Sequence, residues 1–279
     1  MNLFEPFQFA FFRNGIIVAV LAGAICGLIG VYVVLRQMSY IGHGLSHSIF
    51  GGAAASAVLS VNFYLGAGLW GLLSALMIGR VARRGKIGSD AAIGVITTAS
   101  FAMGLALSNL FGQAKRSIDA VLFGSILGVG GTDVIAVLGA GVLSVVVIYA
   151  CYRHLLFATF DPEVANVSGV NVARMEALLM LMLAITILFT MKVMGVLLIS
   201  AMLVTPAATA RMMTNSFARM LTIAPIIGAL CGFAGMLLSY HIDVSPGATI
   251  ILMASTVFLV VFTVTGSRGR RNVAGLGHH

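Results

Sequence analysis

The sequence predicts an all-α, polytopic membrane protein with about eight or nine transmembrane helices. Three observations carry this reading. Sixty per cent of the 279 residues are hydrophobic and 9% are charged, whereas soluble domains carry about 25% charge. Mean hydropathy is +1.08. The few charges are also gathered into short stretches, leaving charge-free runs of roughly 18–24 residues, the length that crosses a bilayer as a helix. A net charge of +8 would suggest nucleic acid in a soluble chain. In a lipid bilayer it follows instead from Lys and Arg kept in the cytoplasmic loops, so no nucleic-acid partner is expected.

Taken in order, the runs place spans at 14–35, 42–60, 63–79, 91–112, 133–152, 175–191, 194–210, 220–240 and 247–266. The short connections near Asn62 and Met194 reduce nine to eight if neighbouring runs merge. Residues 1–13 form an N-terminal segment with Glu5 and Pro6. It lacks the basic start and small-residue cleavage site of a signal peptide, so the first span is expected to persist. Residues 120–130 are apolar but too short to span and predict a re-entrant or interfacial helix, flanked and capped by Asp119 and Asp133. Asp90, after Gly88 and Ser89, is expected to cap a helix. Cys26, Cys151 and Cys231 have unrelated spacings and no CxxC, which suits small buried residues. The tail, 267–279, ends in His278 and His279, to which no role is given.

Basic residues orient the chain. With nine spans, Arg36, Arg80, Arg83, Arg84, Lys86, Arg153, Arg174, Arg211, Arg219 and Arg268 all fall on one side. The opposite side receives Arg13, Lys115, Arg116 and Lys192. This bias places the C-terminus in the cytoplasm. The longest connection on that side, 154–173, contains Phe160-Asp161-Pro162-Glu163 and Gly169. Asp161 suits a helix cap, Pro162 its first turn, Glu163 the positive end of its dipole, and Gly169 its end. A short helix over about 161–169 on the cytoplasmic face is either a docking element for a soluble partner or an ordinary surface helix.

The chemistry concentrates in Ser39–Gly52, a stretch without Asp, Glu, Lys or Arg. His43 and His47 are four apart and so share one helix face. Ionisable side chains inside a span are costly and mark function by default. Neutral imidazole suits transition metals such as zinc better than hard ions. Two ligands leave a zinc site short of its usual four, and a homodimer with this helix at its axis would supply the other two. The alternative is that the two imidazoles tie helices together by hydrogen bonds. His241 and Asp243, before Pro246, offer either a loose first stop for an entering cation or a plain turn. Thr205-Pro206 interrupts a span and frees a carbonyl, with gating or simple packing as its meaning. No GxxxxGK[ST] is present, so the chain is not expected to hydrolyse ATP, and HExxH is absent too.

Four segments resemble the permease subunits of bacterial ABC importers for zinc and manganese. They are Leu35-Arg36-Gln37-Met38-Ser39-Tyr40-Ile41-Gly42-His43-Gly44-Leu45-Ser46-His47; Ser89-Asp90-Ala91-Ala92-Ile93-Gly94; Phe160-Asp161-Pro162-Glu163 with Gly169-Val170; and Gly195 through Thr205-Pro206 to Ala210. The first is similar to the family's Arg-Gly-Met-Ser-x-x-Gly-Asp-Ala-x-Ser-His. The resemblance implies a type II-like permease domain over 14–266, a permease homodimer, two cytoplasmic ABC ATPase subunits and an extracytoplasmic metal-binding protein. It makes 161–169 the coupling helix and implies residence in the bacterial inner or plasma membrane. No cofactor is held permanently; the metal is cargo. The family's metal-contacting pair is an Asp and a His, and here His43 stands at the Asp position. Imidazole in place of carboxylate favours Zn2+, with manganese or ferrous iron as the alternative cargo. A rival of another class is a non-transporting membrane scaffold or sensor with structural histidines.

Overall fold

The computed structural model describes residues 5–83, 89–111, 124–125, 128–196 and 198–275. Among them every regular element is a helix. A single 3-10 turn, Glu5–Gln8, leads into α1 (Ala10–Leu35), α2 (Ser39–Val58), α3 (Phe63–Arg83) and α4 (Ser89–Phe111). There follow α5 (Gly131–Ala150), the short α6 (Tyr152–Phe160) and α7 (Pro162–Val167), then α8 (Val172–Met194), α9 (Ile199–Met213), α10 (Phe217–Ile242) and α11 (Pro246–Gly275). Seven of these, α1, α3, α4, α5, α8, α10 and α11, are long and apolar enough to cross a bilayer. The remaining two expected spans, 42–60 and 194–210, correspond to α2 and α9. Helix α2 is diluted by Ser, Gly and His, and α9 at 15 residues reaches only about 22 Å at 1.5 Å per residue. Both are enclosed by their neighbours rather than by lipid.

Helix α1 is the axis of the bundle. Seventy-two per cent of its apolar window is buried, against 22% for α11. It can be central because its glycines admit neighbouring backbones. A Cβ on Gly23 would collide with the Gly228 carbonyl, one on Gly27 with Ala224, and one on Gly30 with the Leu203 carbonyl. As the α1 number rises the α10 number falls, so α1 and α10 run antiparallel. Helices α2 and α4 run parallel, with Gly44 against Ile93 and Thr97, and Gly51 against Ser100 and Gly104. Outward-facing positions are large and apolar, among them Leu69 and Leu73 of α3, Val142 and Val146 of α5, and Leu259 and Phe262 of α11. That is the distribution a lipid solvent requires.

The chain enters α9 through a buried break. Gly195 has φ +77, and Val193, Val196 and Ile199 are wholly buried. Irregular backbone at such depth is tolerated only where protein encloses it. Gly124, also at positive φ, lies against Val193 and Gly195 and encloses it from one side. Most of the short apolar helix expected over 120–130 lies outside the described residues, as does Asp119. Asp133 lies in the first turn of α5, accepts from Gly130 N (2.9 Å) and receives the Tyr64 hydroxyl of α3. Its acidity is used to hold the start of α5. Asp90 likewise sits in the first turn of α4 rather than at its cap.

Gly30→Ala should separate α1 from α9 and destabilise the bundle by about 1–3 kcal/mol, the usual cost of overpacking. Thermal unfolding in detergent checks this, and an unchanged midpoint would contradict the close approach.

Candidate functional site

Helix α2 is used on most of its faces. Gly42 packs on Ser200 and Leu203 of α9, Gly44 on Ile93 and Thr97 of α4, and Gly52 on Trp70 of α3. Ile41, Leu45, Ile49 and Phe50 are buried in the core. A helix turns about 100° per residue, so His43 points midway between the directions of Gly42 and Gly44, into the cleft between α9 and α4. His47 follows one turn later on the same face. Both are half-buried, and Tyr40, one turn before His43 with its ring 6.0 Å away, is 64% exposed. One strip of α2, which carries Tyr40, His43 and His47, is therefore left partly exposed.

The two imidazoles meet. Their Nε2 atoms are 3.1 Å apart, so one Nε2–H donates to the other's lone pair. The rings lie edge to face at 4.3 Å, and His47 also rests on Phe101 of α4 at 4.7 Å. Among the described residues these side chains hydrogen-bond only to each other, and the buried Nδ1 of His47 has no partner. Among the described residues, no hydrogen bond joins them to another helix. Two nitrogens sharing a tetrahedral ion at about 2.0–2.1 Å would be roughly 3.3 Å apart, so the pair is already spaced for chelation. No group of three or more His, Cys, Asp or Glu able to hold a metal occurs among the described residues. One chain thus offers two ligands on a partly exposed strip.

The helix starts from a tight turn. Gln37 adopts φ +56 and Met38 N returns to Val33 O at 3.0 Å. Position 37 holds Gly in the family pattern, and glycine alone takes this backbone without cost. Arg36, just before it, is anchored away from α2. Its Nε donates to Thr159 Oγ1 (3.2 Å), Nη2 donates to Ala158 O (3.1 Å), and Nη1 lies 3.9 Å from Glu176 Oε1. The turn is therefore covered by α6 and α8.

The expected cytoplasmic helix is α7, shorter than 161–169, and it is preceded by a helix, α6, that the sequence reading took as loop. Asp161 Oδ1 accepts from Val164 N at 2.9 Å, with Pro162 in the first turn and Glu163 beside it. Gly169 ends the element at φ +82. Phe160 is 58% exposed and Val167 91% exposed, while Ala165 is buried against the bundle. At the opposite end, His241 closes α10 with its ring on Tyr240, and Asp243 takes a left-handed conformation. Ser239 Oγ donates to Val244 O at 2.7 Å and fixes the turn. Among the described residues no interaction joins His241 to Asp243, so this segment has the geometry of a turn. Pro206 is buried in α9, and Thr209 Oγ1 donates to Thr205 O at 2.7 Å.

The model of the ABC 3 transport family matches residues 8–265. The chain is 36% identical over 264 residues to the manganese transport system membrane protein MntC of Halalkalibacterium halodurans, covering 94% of this chain and 90% of the relative. It is 36% identical over 274 residues to the manganese import system permease protein ScaB of Streptococcus parasanguinis, covering 98% and 96%. Among solved structures, PsaBC from Streptococcus pneumoniae in complex with Fab superposes with a TM-score of 0.85 at 33% identity, over 93% of this chain and 94% of that one.

Gln37→Gly should relieve the left-handed strain and raise stability by up to about 1 kcal/mol. A fall in the thermal midpoint would show that the glutamine side chain holds the turn.

Proposed function

Because the chain belongs to the ABC 3 transport family, we propose that it is the membrane-spanning subunit of an ATP-driven divalent-metal importer whose cargo is manganese. The observation that carries the reading is the spaced imidazole pair on a partly exposed strip of α2, in a multi-pass bundle without an ATP-binding motif. The relatives named for manganese, matched over nearly their whole length, favour manganese over the zinc that imidazole ligands suggested. Imidazole does not exclude Mn2+, since selectivity follows coordination geometry and metal availability more than ligand affinity. Ferrous iron remains the neighbouring alternative. The scaffold reading requires imidazoles that tie helices by hydrogen bonds, and the hydrogen bond of these two runs within α2.

In this account two copies pair with their α2 strips facing, so that His43 and His47 of each protomer meet one ion. An extracytoplasmic metal-binding protein delivers it, and separate cytoplasmic ATPase subunits dock at Phe160, Asp161, Pro162, Glu163 and Gly169 around α7. The protein resides in the bacterial plasma membrane with its basic end and C-terminus inside. Movement of α7 rocks the bundle, and the Thr205-Pro206 step in α9, just after the Leu203 that meets Gly42, is the place where that helix can bend. Incomplete, exchangeable ligation suits transport because an ion must leave as well as bind. His241 and Asp243 are assigned no binding role beyond their turn.

Uptake by the complete transporter in proteoliposomes tests this. Manganese should enter in preference to zinc, and His47→Ala should lower uptake by about tenfold or more, some 1.4 kcal/mol of lost interaction, with the melting temperature kept. His43→Asp should keep manganese uptake and weaken competition by zinc. Normal uptake by His47→Ala would refute the site. Zinc preferred by the wild type would refute the cargo.

A further inference from the structure

Arg36 is a buried cation whose bonds all leave its own hairpin. It closes α1, one residue before the left-handed Gln37 and three before α2 begins. Its side chain is 9% exposed, and burying a guanidinium is costly unless it is fully paired. The pairing is supplied by the last turn of α6, through Thr159 Oγ1 and Ala158 O, and by Glu176 of α8. Thr159 and Ala158 lie immediately before Phe160 and Asp161, where α7 starts. An unbroken path of short, directional contacts thus runs from α7, through α6, Arg36 and the Gln37 turn, into the first turns of α2 and on to His43.

Other contacts hold α6 without reaching α2. Phe217 of α10 packs edge to face on Tyr32 (5.5 Å) and Phe160 (5.8 Å), and tilted against Tyr152 (5.7 Å). That aromatic cluster fastens α6 to α1 and α10. Among the described residues, Arg36 provides the side-chain hydrogen bonds that join it to the turn from which the histidine helix departs. A planar fork with several fixed donors transmits position in a way that a flexible apolar contact does not.

We infer that Arg36 is a positioning residue that couples movement of the α6–α7 elbow to the start of α2, so that ATPase action on α7 reorients His43 and His47. This inference rests on the proposed transport function for its consequence, but its structural link can be measured separately.

The complete transporter in proteoliposomes, with manganese(II) as the cargo probe, gives the first readout. ATP hydrolysis and uptake are measured in the same vesicles. Arg36→Met should leave ATP turnover within about twofold of wild type while ions imported per ATP fall about tenfold, the scale of a lost coupling contact. Arg36→Lys, which keeps the charge near Glu176 without the fork, should lie between. A ratio equal to wild type, or both activities falling in proportion as damaged folding would produce, overturns the inference. Should Arg36→Met fail to assemble, Thr159→Val, which removes one acceptor and leaves the ion pair, must lower the same ratio. The second readout needs no metal. In the purified permease–ATPase complex, nucleotide should alter amide hydrogen exchange over 158–170 and 36–47 in wild type, and over 158–170 alone in Arg36→Met. Changes at 36–47 that persist in Arg36→Met overturn the inference. Wild-type vesicles that import no divalent metal would refute the transport reading while leaving this second result to decide the coupling.

Discussion

The Nε2–Nε2 contact of His43 and His47 is placed by the packing of α2 rather than by any polar network around it. Gly42, Gly44, Gly51 and Gly52 bring α9, α4 and α3 against the helix, and Ile41, Leu45 and Ile49 fill the core. Once those faces are taken, one strip is left, and the imidazoles occupy it. Small residues at helix contacts are the means by which membrane bundles pack closely without a hydrophobic drive between helices. Here the same economy leaves two nitrogens at the edge of a cleft, spaced for a shared ion and lacking other protein partners. A bundle optimised for stability alone would place apolar side chains there.

A second constraint sets where that strip lies along the bundle. Counting basic residues predicts a place for His43 close to the cytoplasmic end of its span. The turn before it is covered, because Arg36 is drawn under α6 and α8 by Thr159, Ala158 and Glu176. His43 and His47 follow one and two turns into α2 beyond that covered turn, where they are half-buried. The same Arg36 contacts tie the end of α6, which runs directly into the exposed α7, to the turn from which α2 departs.

Much of this was legible in the sequence, and the parts that were not share a cause. Charge-free runs mark spans because lipid excludes unpaired charge, and each of the nine expected runs corresponds to a helix. The i, i+4 spacing of His43 and His47 and the Asp161-Pro162 start are local signals, and the local geometry follows them. Helix α6 was hidden because Arg153 and His154 interrupt its apolar pattern. The bond from Tyr64 to Asp133 is invisible to local pattern because the two are 69 residues apart. Arg36 counted only as a topogenic charge, since its acceptors are 122 and 123 residues distant. Ligand softness points to zinc, whereas the relatives matched along the chain carry manganese in their names, which favours the alternative cargo.

The central claim is that His43 and His47 of two protomers share one manganese ion. Pulsed electron paramagnetic resonance of Mn2+ bound to the purified dimeric permease tests it most directly, read together with the metal-to-protein ratio. The account predicts one ion per two chains, with strong imidazole nitrogen couplings that vanish in His43→Ala/His47→Ala. One ion per chain, or bound manganese without imidazole nitrogen, would contradict it.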